Sequence, residues 1–559
     1  MTHNMSMLIN RNLWFLFFIF SSQLTFAQSI DSKGTEFWLA FSENYENNGS
    51  PELSFFLSSA QEGEITIEAP GIGFSGSVTI AANIATKYIV PSELETDGFD
   101  EVLQTSIRLS SDIEFSVYGL SRLQYTTDAY LGLPIDVLGT EYIVLAWDAG
   151  VLGASEYLIV ATADNTTVDI TASLHDTTSV NTQVTLNSGD TYQHRSAEND
   201  DVTGTVISSD LPIAVFAGHQ CANIPNVSTF YCDHLIEQLP PTNSWGTQFF
   251  TAPLAEKLNG DTFRFIANID NTEITINGEI ATTINSGEYF ETLLEEASFI
   301  TATSPILVSQ YSNGTTFDSV TSDPFMMLIP PFEQFLDEYT FSTPTEGFRT
   351  NYVNIVVRTA SISSLSLDEI ALNESDFTQI FSTDYSYTQI EIGLGSHTLT
   401  GAVSGIYVYG YDKDDSYGYS GGLSLSSIAS VANVELLENY EIVDNQACFT
   451  VFVSDLDNIP LQDIRVDFLV ELINGSDRTD EEGLAEFCVE AGINPGEFNV
   501  TATVGNKTTS GSVTQTIIDD VIATDDDNGG GGSIGLILAF CLLWRLRRKH
   551  ASIIVKFRE

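Results

Sequence analysis

The chain has 559 residues, and its 20 lysines and arginines against 76 aspartates and glutamates give a formal charge of -56. A surface this acidic repels phosphate backbones and anionic lipid headgroups, which argues against nucleic acid as a partner. It favours cations or basic proteins, or reflects solubility in salty surroundings. At roughly 100–200 residues per domain, the length predicts three to five domains.

The first 27 residues have the pattern of a secretory signal peptide. Arg11 precedes an apolar run at 13–20, and small residues follow at the end of the segment. We expect cleavage between Ala27 and Gln28, which would export the rest of the chain.

The body of the chain contains related stretches, which is the pattern of a repeat protein. Similar opening signals stand at 34–37 (GTEF), 139–142 (GTEY), 246–249 (GTQF) and, in degraded form, 337–339 (DEY). Short period-two runs between Asn, Asp, Gly and Ser turns predict about seven antiparallel strands per copy. The sequence therefore predicts an all-β head at 28–425, made of tandem antiparallel β-sandwich-like repeats, with a propeller-like arrangement as the alternative. The predicted repeats are 31–128, 129–244, 245–335 and 336–425.

The junction between the second and third copies is the most distinctive segment. It contains three motifs, which are GHQCANIP at 218–225, CDHLIEQLPP at 232–241 and SWG at 244–246. The opening motif of the first copy, GTEFWLAF, stands at 34–41. With these motifs, the region 31–425 resembles the IgGFc-binding protein N-terminal domain family. The resemblance implies adhesion or recognition, with a protein or glycan ligand on another surface. It does not specify immunoglobulin as that ligand.

A different pattern occupies 436–516, where alternating strands are separated by Asp-rich turns. It resembles a bacterial Ig-like domain of the invasin type (Big-1), which implies an Ig-like β-sandwich that acts as a rigid stalk. Residues 517–532 then form an acidic and glycine-rich linker, a composition typical of a flexible segment.

At the C-terminal end, a glycine run precedes a hydrophobic segment with a basic cluster at 533–549. The glycines are Gly529, Gly530, Gly531 and Gly532. This order resembles the GlyGly-CTERM sorting signal of Gram-negative bacteria. The resemblance implies cleavage near these glycines by a rhomboid-type protease and display at the cell surface or release. Because the tail at 550–559 departs from the family pattern, retention as a membrane anchor is the alternative.

The cysteines of an exported chain meet oxidising conditions, which favours disulfides. The predicted pairs are Cys221 with Cys232 and Cys448 with Cys488, the second across the Ig-like module. His219 and His234 flank the first pair, so a four-ligand zinc site is the alternative there. Residues one apart on a strand point to opposite faces, which favours the disulfide.

Candidate sites for chemistry are few. Asp412, Asp414 and Asp415 lie on one turn and offer oxygen ligands for Ca²⁺, although the EF-hand spacing is absent and a solvated acidic turn is the alternative. The sequence has no GxSxG, HExxH or P-loop motif, so we expect neither catalytic residues nor another cofactor. We therefore expect an adhesion or recognition protein, with a secreted glycan-directed hydrolase or a structural envelope protein as alternatives.

Overall fold

The computed structural model describes residues 30–514, apart from 46–48, 149–151, 178, 198–199, 438–441, 444–445 and 491–496. The predicted signal peptide and its cleavage site, the linker, the glycine run and the hydrophobic tail lie outside the described residues. The chain divides into units at 1–515 and 516–559, and every described residue belongs to the first. No helix within the described ranges has the length and apolar character that a membrane crossing needs.

Strands and turns dominate the described residues, which confirms the predicted all-β class. Four stretches share one strand order and are named repeats 1 to 4. Repeat 1 contains β1 (Gly34–Leu39), β2 (Phe41–Ser42), β3 (Glu52–Ser58), β4 (Gly63–Ala69), β5 (Phe74–Ile80), β6 (Thr86–Val90), β7 (Glu95–Thr96), β8 (Val102–Leu103), β9 (Ile107–Leu123) and β10 (Thr126–Leu131). Repeat 2 contains β11 (Gly139–Ile143), β12 (Ser155–Ala161), β13 (Thr166–Thr171), β14 (Thr182–Leu186), β15 (Thr191–Arg195), β16 (Val206–Ala222) and β17 (Asp233–Gln238).

The second half of the head repeats this order. Repeat 3 contains β18 (Gly246–Phe250), β19 (Asp261–Ala267), β20 (Thr272–Ile276), β21 (Glu279–Ile284), β22 (Tyr289–Leu294), β23 (Phe299–Tyr311), the short helix α1 (Thr315–Asp318) and β24 (Met326–Leu328). Repeat 4 contains β25 (Leu336–Ser342), β26 (Thr350–Arg358), β27 (Ser366–Leu367), β28 (Ile370–Ala371), β29 (Thr378–Gln379), β30 (Tyr385–Ile392), β31 (Ser396–Asp412) and β32 (Asp415–Ser420). Short 3-10 turns lie at Pro70–Ile72, Ser92–Leu94, Ile135–Val137, Thr242–Ser244, Phe332–Gln334, Thr359–Ser364, Glu374–Asp376 and Ile428–Ser430.

One long strand organises each repeat. The first half of β9 pairs with β1 and β4, and its second half pairs with β3 and β10. β16, β23 and β31 have the same neighbours in their own repeats. A strand that passes from one sheet into another produces two packed layers. Each repeat is therefore sandwich-like, as the sequence predicts.

The strands reflect the sequence pattern on which the prediction rests. β4 buries Ile65 and Ile67 while Glu64 and Glu68 lie on its other face, so the period of two places one face in the core. β3 is instead buried along nearly its whole length, and its apolar run Phe55–Leu57 is typical of a strand covered on both faces.

The four repeats surround a common axis. Their inner strands are β10, β17, β24 and β32; β10 contacts β17 and β32, and β24 contacts the same two strands. The two ends of the head close this ring, because the Ser32 N–H donates to the Leu423 carbonyl at 2.9 Å and the Leu425 N–H donates to the Ile30 carbonyl at 3.0 Å. Sandwich-like repeats thus adopt a propeller-like arrangement. The predicted boundary at residue 128 falls inside β10.

A buried arginine links repeats 2 and 3. Arg264 on β19 is 1% exposed, and its guanidinium contacts Asp201 and Glu291, each at 2.9 Å. The same group lies over the rings of Trp147 and Tyr289, at 4.0 and 4.4 Å from their centroids. Burial lowers the pKa of this guanidinium, but the neighbouring carboxylates, led by Asp201, outweigh that effect and raise it. Arg264 is therefore a charged connector between two repeats.

The C-terminal module has two four-stranded sheets. One contains β33 (Asn433–Leu436), β34 (Ile442–Val443), β35 (Gln446–Ser454) and β38 (Leu484–Glu490), and the other contains β36 (Arg465–Val470), β37 (Ile473–Arg478), β39 (Glu497–Val504) and β40 (Lys507–Thr514). The Arg478 guanidinium donates to the Phe335 carbonyl at 3.2 Å and to Ser424 Oγ at 3.0 Å. The module therefore contacts the ring through Arg478, and its expected role as a stalk stays a prediction.

The module's disulfide corrects one expectation. Cys448 and Cys488 are bonded, but they face each other on the neighbouring antiparallel strands β35 and β38. The bond therefore lies within one sheet and does not cross the module. The local sequence shows which strands are present but not which of them are neighbours, and this explains the difference.

Candidate functional site

Four loops lie at one end of the ring axis. Each leads from the long strand of a repeat into its inner strand, and together they span 124–125, 223–232, 312–325 and 413–414. Because the inner strands are mutual neighbours and share one order in their repeats, these loops converge. This end of the ring is named the axial face.

Asp128 holds the inner strands together just below the axial face. Its carboxylate accepts the Ala129 N–H at 2.8 Å and the Ile236 and Met326 N–H groups at 3.2 Å each, and it also accepts the Gly418 N–H. One donor comes from each repeat, so one side chain satisfies four equivalent backbone groups. Burial raises the pKa of this carboxyl above its ordinary value, and the four N–H bonds oppose that rise.

The disulfide between Cys221 and Cys232 closes the loop of repeat 2, the pairing that the sequence predicts. Both sulfur atoms are bonded to each other, so neither is available as a thiolate ligand for the alternative zinc site. Burial lowers the pKa of His219 to about 3 and that of His234 to about 4. His219 Nδ1 accepts the Cys221 N–H at 2.9 Å. The two histidines are therefore neutral core residues.

The loop of repeat 2 is also fixed against the loop of repeat 3. The Phe230 N–H donates to Thr316 Oγ1 at 2.9 Å, and the Gly314 N–H donates to the Ile224 carbonyl at 2.9 Å. Two loops from different repeats thus form one surface whose backbone is held by covalent and hydrogen bonds.

Several large apolar side chains on the axial face remain exposed. Phe230 is 71% exposed and Tyr231 is 59% exposed, and Val227 on the same loop and Tyr125 on the loop of repeat 1 are also exposed. A cleft of about 420 Å³ lies beside Tyr125, between 122–125 and 413–415. Aromatic side chains on a fixed backbone are suited to contact with another protein, because little conformational entropy is lost on binding.

A larger groove of about 900 Å³ lies on the C-terminal module between β33 and β40. It is an open gap between two sheet edges, bordered mainly by the Asn433–Leu436 and Lys507–Ser512 segments. The axial face differs from it because four repeats contribute charged and aromatic side chains to one surface.

The three predicted Ca²⁺ ligands do not form one cluster by themselves. Each carboxylate pairs with a different base. The pairs are Asp412 with Arg349 at 2.5 Å, Asp414 with Lys413 at 3.4 Å, and Asp415 with Arg122 at 3.1 Å. Asp415 also accepts Thr127 Oγ1 at 3.0 Å, and this contact places it beside the inner strand of repeat 1. Ca²⁺ at this turn therefore stays a prediction.

Sequence reasoning missed the acidic residues that the ring brings near Asp415. Asp233 is the first residue of β17, and Asp323 lies in the loop that leads into β24. Burial raises the pKa of both carboxyls; Asp323 and Asp415 add to the rise at Asp233, and Asp414 and Asp415 add to it at Asp323. Alignment of the inner strands of the four copies would have placed these residues at equivalent positions.

Similar solved structures include a chimeric titin Z1Z2 tandem and a tetra-tandem repeat from the extending region of a large adhesion protein. The first is 14% identical and covers 33% of this chain and 92% of its own, with a TM-score of 0.12. The second is 12% identical and covers 72% of this chain and 95% of its own, also with a TM-score of 0.12. Scores this low correspond to no shared overall arrangement.

Sequence comparison is more informative. The family described as IgGFc binding protein matches residues 128–410, slightly more than half of the chain. The IgGFc-binding protein of Homo sapiens is 27% identical over 421 residues, which are 70% of this chain but only 8% of that protein. Both names describe binding and not catalysis. The match contains the axial loops of repeats 2 and 3 and ends just before that of repeat 4. Since it covers more than half of the sequence, the chain belongs to the IgGFc binding protein family.

Proposed function

We propose that this chain is an exported recognition protein that binds another protein through its axial face. The observation that carries the proposal is the exposure of Phe230 and Tyr231 on a loop held by the disulfide and by repeat 3. Interfaces derive most of their binding energy from a few such anchors, and aromatic residues are prominent among them.

The charge of the chain favours a partner with a basic surface. With a net charge of -56, long-range attraction would speed association with such a protein and would weaken as salt is added. The name of the human relative supports a protein ligand. The proposal is tested with a panel of purified proteins that includes immunoglobulin Fc. Glycoproteins and free glycans form the second part of that panel, because the proposed recognition extends to glycans on another surface.

Export and display complete the proposal. A cleaved leader before Gln28 and two disulfides are consistent with an oxidising destination. We further propose that the Gly529–Gly532 run is processed by a rhomboid-type protease and that the chain is displayed at, or released from, a Gram-negative surface. Fractionation of cells before and after surface proteolysis would separate an anchored chain from a released one.

The binding proposal predicts a large effect at Tyr231. The Tyr231→Ala variant should bind a partner identified on the protein and glycan panel at least about tenfold more weakly, since a central aromatic anchor is lost. Binding is measured by surface plasmon resonance with the purified protein. Phe381→Ala is the matched control, because Phe381 is also exposed, at 53%, and also has a positive φ, 47° against 71° for Tyr231. Equal affinities for the two variants would argue against the axial face.

A further inference from the structure

A buried lysine and a buried aspartate connect two loops of repeat 3. Lys257 lies in the loop before β19, and Asp318 is the last residue of α1. Their side chains are 1% and 0% exposed, and Lys257 Nζ lies 3.6 Å from Asp318 Oδ2. Lysine and aspartate side chains are almost never buried so completely unless they are paired. This pair therefore joins the loop at 251–260 to the axial loop at 312–325.

The other contacts of Lys257 leave its amino group one position for Asp318. Nζ donates to the Asn313 carbonyl at 2.6 Å and to Ser322 Oγ at 2.5 Å. The distance of 3.6 Å to Asp318 Oδ2 is longer than a hydrogen bond, and this oxygen accepts no hydrogen bond from any described residue. A neutral amine has two N–H groups, so it would keep both short bonds and have its lone pair available to the Asp318 carboxyl group.

The surroundings favour the uncharged forms of the two groups. Burial lowers the pKa of Lys257, although nearby carboxylates, led by Asp318, oppose that change. The buried ring of Tyr411 lies 5.7 Å from Nζ. Where water is excluded, transfer of a proton from the ammonium group to the carboxylate removes two buried charges. The result is an amine beside a carboxylic acid, which are the two reactants of amide formation.

A third carboxyl group completes the site. Asp261 on β19 is 0% exposed, and burial raises its pKa to about 6. It interacts electrostatically with both Lys257 and Asp318. Its Oδ2 accepts the Leu254 N–H at 2.8 Å and the Gln310 side-chain N–H at 2.9 Å, whereas its Oδ1 has no partner in the described part of the chain. A buried acid with one uncommitted oxygen is suited to proton transfer.

We propose that Lys257 and Asp318 become joined by an isopeptide bond, with Asp261 as the acid that moves protons during its formation. The lone pair of Lys257 Nζ attacks Asp318 Cγ, and a C–N bond forms. Asp261 protonates the departing oxygen and takes up a proton from the nitrogen, so the bond from Cγ to that oxygen breaks and one water leaves. Asp261 ends in the protonation state in which it began.

The fold supplies what this reaction needs. Two reactants held side by side react as if at very high concentration, so no activating cofactor or oxidant is required. The product would fix the axial loop of repeat 3 covalently to the loop before β19. The inference does not rest on the proposed function, because the bond would form whether or not the axial face binds a partner.

Mass spectrometry of the purified full-length protein, reduced and denatured, tests the proposal. The wild type should be lighter than its own sequence by the mass of one water molecule, and its peptide map should contain one branched peptide that joins Lys257 to Asp318. The Lys257→Met and Asp318→Ala variants should have their full sequence masses and no branched peptide. A wild type without the branched peptide would overturn the proposal, even if its mass were lower, because dehydration of a single aspartate also removes one water.

Two comparisons make the test specific. Lys87 Nζ lies 2.7 Å from Glu52, but the Glu52 side chain is 42% exposed. Water keeps such a pair charged, so it should give no branched peptide; one at Lys87 would contradict the role of burial. Asp261→Asn should form the Lys257–Asp318 bond at least about tenfold more slowly after synthesis, since acid–base catalysis contributes about 10²–10⁴-fold. An unchanged rate in that variant would overturn the part assigned to Asp261.

Discussion

The Asp128→Ala variant should lose several kcal/mol of stability. Removal of the carboxylate leaves the Ile236, Met326 and Gly418 N–H groups without their acceptor in the centre of the ring. A buried donor without a partner costs about 1–3 kcal/mol, so three of them give a loss of at least about 3 kcal/mol. The measurement is the midpoint of thermal or urea unfolding of the purified protein.

The matched control for this variant is Asp169→Ala. Asp169 lies exposed on β13 and accepts the Gln183 side chain at 2.7 Å, so its removal should change stability by no more than about 0.5 kcal/mol. If Asp128→Ala unfolded at the same midpoint as the wild type, the role of Asp128 in joining the four repeats would be refuted.

The Arg264→Met variant should be comparably destabilised. The substitution keeps much of the side-chain volume but leaves Asp201 as a buried carboxylate without its cation, and it removes the guanidinium that lies over Trp147. Loss of one partner from a buried ion pair costs about 3–5 kcal/mol. The result is expected as a lower unfolding midpoint, with repeats 2 and 3 the first to lose protection in hydrogen exchange.

Arg108→Met is the comparison for Arg264→Met. Arg108 pairs with Glu36 at 2.8 Å, but the two side chains are 34% and 31% exposed. An ion pair this open to water contributes about 0–1 kcal/mol, so its loss should shift the midpoint little. Similar shifts of the unfolding midpoint for both variants would show that the buried Arg264 stabilises the junction between repeats 2 and 3 no more than an exposed ion pair would.

The strands and the repeats were predictable because they are local properties. Alternation such as that of Gly63–Ala69 needs only a pleated strand with one buried face, and it predicts the strand without knowledge of the partner. The recurring opening signals indicated the repeats in the same way. The disulfide of Cys221 and Cys232 followed from the redox environment and a short separation.

The ring was less predictable because it depends on contacts between repeats. β10, with the sequence TTDAYL, is buried at every position and therefore shows no alternation, and Asp128 resembles a loop carboxylate in sequence. Arg264 alternates with apolar neighbours as an outward-facing base would, but its outward face meets repeat 2. The burial of Asp128 and the burial of Arg264 therefore cannot be predicted from the residues that neighbour them in sequence.

The candidate cation ligands show the same distinction. Asp412, Asp414 and Asp415 attract notice because they are close in sequence, yet each pairs with a different base. Asp233 and Asp323 are far from Asp415 in sequence, and their proximity to it becomes visible only when the inner strands are neighbours.

Hydrogen exchange of the protein, with and without a partner found on the panel, tests the proposed binding face. Binding should protect backbone amides at 122–127, 222–233, 312–325 and 411–416. It should leave the C-terminal module and the outer strands, which are the sheet-edge strands β5, β14, β21 and β28, unchanged. Protection confined to 433–514 or to the outer strands would contradict recognition through the axial face.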